Sequence, residues 1–167
     1  MKTLLLPGIN PETIEWISEL AEKLELDKSK NHIHRYTFWS NNTIDPDLSN
    51  EASYLPREKY DLVIGKSFGS LVAMQAHLEK RIHCDRAILL GIPIKSFKKR
   101  SIAQDALSLL QNDKTFVIQQ NNDKFGTVDE FGENKPVNLL TIEGEDHLYI
   151  DYELYIDQVG RWLHRVS

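Results

Sequence analysis

A chain of 167 residues with 41% hydrophobic and 27% charged residues is long enough for one buried core and reads as a single globular domain over residues 1–167. Its net charge of −5, with both signs mixed along the chain, offers no basic stripe for nucleic acid, and no run approaches the roughly 18 apolar residues of a membrane span. A lone cysteine, Cys84, excludes an internal disulfide and fits a reducing compartment, and the apolar run at residues 4–6 is too short for a secretory signal, so a cytoplasmic protein is expected.

The first strand is predicted at residues 4–6, stopped by Pro7 and Gly8. Asn10 as N-cap and Pro11 in the first helical position then open a helix over 11–25, with Ile14, Ile17, Ala21 and Leu24 on one stripe. A second strand is predicted at 34–39, where Tyr36 and Phe38 alternate onto one face. Residues 40–58 are rich in loop formers, with a short helix near 48–55. The third strand is predicted at 61–65, followed by a helix over 68–80 with Leu71, Met74 and Leu78 aligned. A fourth strand at 86–92, a short helix at 102–110, a fifth strand at 115–119 and a sixth at 137–142 follow. A helix over 150–165 closes the chain, with Tyr152, Ile156, Val159 and Leu163 inward. Continuous apolar strands alternating with helices predict an α/β fold: a three-layer αβα sandwich around a mostly parallel six-stranded sheet. In such sheets the functional loops gather at the carboxyl ends of the strands.

The stretch DLVIGKSFGS, residues 61–70, admits two chemistries. A phosphate-binding P-loop would need glycine at position 60, which is Tyr60, and would need residues 61–64 as a loop, where the pattern is a strand. A nucleophile elbow needs G-x-S-x-G at a strand-to-helix turn, and Gly65, Ser67 and Gly69 stand in that arrangement. The plain alternative is Ser67 as an N-cap beside two turn glycines.

A serine hydroxyl is a weak nucleophile and needs a base, and the base needs a third group to hold its tautomer. Of six histidines, His32 and His34 precede the serine, His77 lies within the following helix, His83 precedes the fourth strand and His164 sits in the last helical turn. Only His147 immediately follows the carboxyl end of a strand, in EGEDHLY. It is the candidate base, or else a surface residue capping the final helix. Asp123, just past the fifth strand in NNDKFGT, is the favoured acid by position and chain order. Asp129 and Asp146 are the alternatives, and an Asx-turn is the plain reading of Asp123. For an oxyanion, the backbone N–H of Phe68 is one expected donor, with Ile9 the first choice and Asn10 the second for the other.

From LLLPG through GKSFG and NNDKFG to EGEDHL the chain resembles an α/β-hydrolase over nearly its full length. It looks most like the small lidless members, the size class of retinoblastoma-binding-protein-9-type serine hydrolases. The resemblance implies a Ser67–His147–Asp123 triad, carboxylesterase-like chemistry, a minimal fold without a lid, and the sheet order 2-1-3-4-5-6. Three positions depart from the family pattern: Pro7-Gly8 replaces a frequent His-Gly, Lys66 a frequent His, and Gln120 a common Gly.

Trp39, Tyr54, Phe97 and Phe125 fall in segments that reach toward the strand tips and can wall an apolar acyl site or belong to the core. Asn10, Trp39 and Phe125 are the substrate-binding candidates. Lys66 and the basic run over 95–100 read as solvated lysines and arginine. The expected partner is a small-molecule ester or thioester, with no metal or cofactor, no nucleic acid and no membrane; the oligomeric state is not encoded. The alternative is a binding or interaction protein that kept the fold and lost turnover.

Overall fold

Leu4 and Leu6 bury on one side of a sheet and Leu5 on the other. The same two-residue alternation sorts Val63, Leu89 and Val117 from Leu62, Ile64, Ile88 and Ile118. Both faces of these strands are apolar, so both must be covered. The computed structural model describes residues 1–41, 46–99, 102 and 104–165 and shows how this is done.

Six strands, β1 (Thr3–Leu6), β2 (Asn31–Ile33), β3 (Glu58–Lys66), β4 (Ile82–Leu90), β5 (Thr115–Gln120) and β6 (Asn138–Ile142), form one sheet in the order β2-β1-β3-β4-β5-β6. Every neighbouring pair is parallel. Helices α1 (Thr13–Lys23) and α6 (Ile156–His164) cover one face through Ile17, Leu20, Val159 and Trp162. Helices α3 (Leu48–Ser53) and α4 (Phe68–Leu78) cover the other through Leu48, Ala52, Leu71 and Val72, helped by Ala106 and Leu109 of a 3-10 segment. The expected three-layer α/β architecture and strand order are present, and the sheet is parallel throughout. Strand order reverses between β1 and β3, which opens a crevice at the carboxyl ends of those two strands.

Several local expectations are corrected. The second strand is Asn31–Ile33, not 34–39, and Phe38–Asn41 is a helical turn, α2. His34 N–H donates to Leu5 O at 3.0 Å. The next rung of a parallel ladder would need an amide hydrogen on Pro7, which proline lacks. The chain therefore leaves the sheet, and Tyr36 and Phe38 bury against Phe68 instead. Asn10 is not a side-chain cap: the residue before α1 is Glu12, and the Asn10 carbonyl accepts from the amide and hydroxyl of Thr13. The closing helix is divided into a 3-10 turn, Tyr152–Leu154, and α6. Tyr155 breaks it because its ring is buried and its hydroxyl donates to Tyr149 O at 2.7 Å. The predicted helix over 102–110 is a 3-10 segment, Gln104–Leu109, after a short turn α5 (Ser96–Lys99). Position 103 of that helix, Arg100 of the basic run and positions 42–45 of the predicted loop lie outside the described residues. Among the described residues, no helix is long and apolar enough to cross a membrane.

Candidate active site

β3 ends at Lys66 and α4 begins at Phe68, so Ser67 alone makes the turn between them. Its backbone is held at φ 53°, ψ −114°, a strained setting for a residue with a side chain. The neighbourhood over-determines that setting. Ser67 N–H donates to Leu90 O at 2.8 Å, and Ser70 Oγ donates to Gly65 O at 2.9 Å. α4 also passes so close to β1 that a Cβ on Gly69 would lie 2.0 Å from Leu6 O. Glycine at 69 is thus a packing requirement of the elbow.

The strained turn carries the Ser67 hydroxyl to 2.8 Å from Nε2 of His147. On the other side of the ring, Nδ1 lies 2.6 Å from Oδ2 of Asp123. A carboxylate only accepts, so Nδ1 carries the proton and Nε2 is left as the acceptor for the serine hydroxyl. The three side chains come from the carboxyl ends of β3, β5 and β6. Asp123 is buried and its carboxylate is fully engaged. Oδ1 accepts the Phe125 N–H at 2.8 Å, and Oδ2 also accepts the Tyr149 hydroxyl at 2.8 Å. Burial alone would raise the Asp123 pKa, but the hydrogen bonds from His147, the Phe125 amide and Tyr149 outweigh it and hold the pKa below the ordinary 3.8. Burial lowers His147 below its ordinary 6.5; the Asp123 hydrogen bond opposes this, and the charge of Lys66 adds to it. At neutral pH the imidazole is the unprotonated form.

Neither alternative acid partners the His147 ring, whose Nδ1 is taken by Asp123. Asp146 is exposed, and its Oδ1 accepts from Gln120 Nε2 and the Leu148 amide. Asp129 is exposed in the 3-10 segment Val128–Asn134. The other histidines are not gathered here: His32, His83 and His164 are exposed, His77 is half-buried, and His34 is buried with its Nε2 lacking a partner.

Ser67 and His147 open onto a cavity of about 560 Å³ at the crevice between β1 and β3. Ile9, Asn10 and Phe68, the expected oxyanion-binding residues, line the same cavity. The Ile9 loop is braced from behind. Its carbonyl accepts the Trp39 indole N–H at 2.8 Å, and the Pro7 carbonyl accepts the buried Tyr36 hydroxyl at 2.8 Å. Trp39 is therefore a support of the loop and not a wall of the cavity, a correction to its expected role. Phe125 does line the cavity, with its ring edge-on to His147 at 4.6 Å between centroids. Tyr54 is exposed outside the cavity, and Phe97 packs on the core. The remaining wall is largely apolar, from Trp16, Leu71, Leu148 and Ile150.

Lys66 requires the largest correction. It is 4% exposed, not solvated. Its ammonium donates to the His147 carbonyl at 2.7 Å and lies 4.3 Å from the Tyr149 ring centroid. Gln120 and Tyr149, which carried no signal of function in the sequence, are also part of the site. Gln120 Oε1 accepts the His147 amide at 2.9 Å, and the Tyr149 hydroxyl accepts the Gln120 amide at 2.8 Å while donating to Asp123. The sequence marked Gln120 only as a departure from a family glycine. Among the described residues, no group of three or more His, Cys, Asp or Glu side chains is placed to hold a metal ion.

No family model matches the chain, and no curated protein matches it. Among solved structures it is similar to a protein of Pectobacterium atrosepticum assigned as a YdeN-like hydrolase, with a TM-score of 0.67 and 15% identity over 96% of this chain and 89% of that one. Nearly the whole of both chains superposes at an identity that speaks for the backbone alone, so the two proteins share one α/β fold.

Proposed function

We propose that the chain is a serine hydrolase that cleaves a carboxylic ester or thioester through an acyl-enzyme. One observation carries the reading: the unbroken hydrogen-bonded line from Ser67 Oγ through both ring nitrogens of His147 to Asp123, at 2.8 and 2.6 Å. In the proposed reaction His147 Nε2 takes the proton of Ser67 as Oγ attacks the carbonyl carbon. Asp123 keeps the ring in the tautomer that can accept and stabilises the imidazolium that forms. The amides of Phe68 and Ile9 are the proposed donors to the tetrahedral oxygen. His147 then returns its proton to the leaving group, and water repeats the sequence on the acyl-serine. No step needs a cofactor.

The cavity wall supports a preference in the acyl group. Trp16, Leu71, Phe125, Leu148 and Ile150 give the cavity an apolar lining beside the charged Glu12, Lys124 and Asp146, so an apolar acyl group of modest size is the proposed occupant. Phe125 at 43%, Leu148 at 53% and Ile150 at 61% exposure leave the site open to bulk solvent.

A fluorophosphonate probe tests the reading without knowledge of the substrate, since it asks only for a base-activated serine. Label mapped to Ser67 and absent from Ser67→Ala and His147→Ala is the expected result. A folded wild-type protein that takes no label would replace the enzyme with a non-catalytic binding protein of the same fold.

A further inference from the structure

The residue before the nucleophile is a buried lysine that the proposed chemistry leaves unused. Lys66 is 4% exposed and, among the described residues, has no carboxylate within ion-pair distance. Its ammonium rests instead on the His147 carbonyl at 2.7 Å, with the rings of Tyr149 and Trp16 at 4.3 and 5.7 Å. The space for this cluster is provided by Gly91 at the end of β4. A Cβ there would lie 2.7 Å from Tyr149 Cε2, 3.0 Å from His147 Cε1 and 3.2 Å from Lys66 Nζ.

The backbone of His147 needs holding, because it sits at φ 67°. Two side chains grip it from opposite sides. Gln120, on the strand that leads to the acid, takes its amide; Lys66, on the strand that leads to the nucleophile, takes its carbonyl. The histidine loop is thus tied to the two other members of the hydrogen-bonded line through their own strands. Lys66 is buried, and a charge-assisted hydrogen bond at a buried position is stronger than a neutral one.

We infer that Lys66 is a positioning residue whose ammonium anchors the His147 backbone beside Ser67 and whose charge keeps the imidazole in its proton-accepting form. The inference rests on the serine-hydrolase reading for its consequence in turnover, and on the geometry alone for its consequence in the titration of His147. The groups that face Lys66 act in both directions. Asp123 and Asp146 favour the ammonium, while burial disfavours it more strongly and brings it from 10.5 to about 7. His147 and the Tyr149 hydroxyl, with Glu12 and Lys124 on the cavity wall, complete the ionisable set. Loss of the Lys66 proton removes the charge and leaves a neutral amine that donates more weakly to the His147 carbonyl, so the rate falls on the alkaline side near neutrality. The acidic limb, set by His147, lies below 6.5 because burial and Lys66 both hold it down. A pH–rate profile that falls on both sides follows.

The test compares wild type, Lys66→Met and Lys66→Arg as full-length proteins. Two readouts are taken: the fluorophosphonate labelling rate against pH, and the NMR titration of the His147 imidazole. In Lys66→Met the labelling rate is expected to fall by about ten- to a hundredfold, and the His147 midpoint to rise by about half a pH unit or more. In Lys66→Arg, which keeps the charge, the midpoint is expected to stay near wild type with part of the rate restored. If the wild type takes no label, the hydrolase reading fails, and the His147 titration alone decides the role of Lys66. If the wild type takes label but folded Lys66→Met keeps its rate and its His147 midpoint, the role of Lys66 is overturned and the hydrolase reading stands. Should Lys66→Arg not fold, Lys66→Met and the wild-type pH profile still decide.

Discussion

Replacing Lys66 by methionine should stabilise the folded protein in acid and at neutrality while weakening its site. The two side chains are similar in length and stem, so the change removes chiefly the ammonium. Folding moves the Lys66 pKa from 10.5 to about 7, and at 1.36 kcal/mol per pH unit the buried charge costs roughly 5 kcal/mol. The methionine forfeits the donor to the His147 carbonyl, a loss of roughly 1–2 kcal/mol. Below pH 7 the variant should therefore gain roughly 3 kcal/mol, which for a chain of this size raises Tm by about 5–12 °C. The sign reverses with pH. Between about 7 and 10.5 the unfolded chain retains a proton on Lys66 that the folded one has released, so wild-type stability climbs through that window relative to the variant. Above 10.5 the wild type should be the more stable by the value of the hydrogen bond. Thermal and urea unfolding of both proteins from pH 5.5 to 10.5 measures this crossing. Equal or lower stability of Lys66→Met at pH 6 would show that the ammonium is not desolvated and would refute the reasoning. The site then exemplifies a group whose charge is retained against stability for the sake of function.

Other outcomes follow from the same contacts. Asp123→Asn should keep the fold but lower the labelling rate by roughly 10³–10⁴-fold, because an amide can donate to Nδ1 and favour the wrong tautomer; the labelling rate at Ser67 checks it. Tyr149→Phe deletes the hydroxyl that donates to Asp123 and accepts from the Gln120 amide, so urea unfolding should register a loss of about 1–2 kcal/mol, with a slower labelling rate. His34 is buried without a partner for Nε2, and burial lowers its pKa from 6.5 to about 4. Its contribution is present above 6.5 and lost as pH falls through about 4, so His34→Phe should withstand acid better, by up to roughly 3 kcal/mol at pH 4 in chemical unfolding. Gly69→Ala places a Cβ against the Leu6 carbonyl at 2.0 Å; a Tm lowered by more than about 5 °C, or no soluble fold, is expected. An unchanged Tm would contradict the packing of α4 on β1.

Much of the architecture was legible from local pattern. Apolar strands without polar faces demand cover on both sides, and the strand-and-helix alternation leaves a parallel sheet as the economical solution. The elbow was legible for a related reason: glycines two before and two after a serine, between a strand and a helix, mark a turn too tight for side chains. Chain order and strand tips were enough to nominate Asp123 and His147, and folding brings these two together with Ser67. What the chain alone did not disclose depends on contacts between distant segments. Residues 34–39 alternate like a strand, yet Pro7, nearly thirty residues earlier, withholds the hydrogen the next rung requires. Trp39 looks like a ligand-facing aromatic, but the Ile9 carbonyl claims its indole N–H. A lysine in a polar-looking GKS triplet reads as solvated, and only the approach of Trp16, Gly91 and Tyr149 from three other elements buries it. Period and propensity are properties of neighbours along the chain; burial, ionisation and the grip on His147 arise from residues 27 to 81 positions apart, and tertiary structure alone sets them.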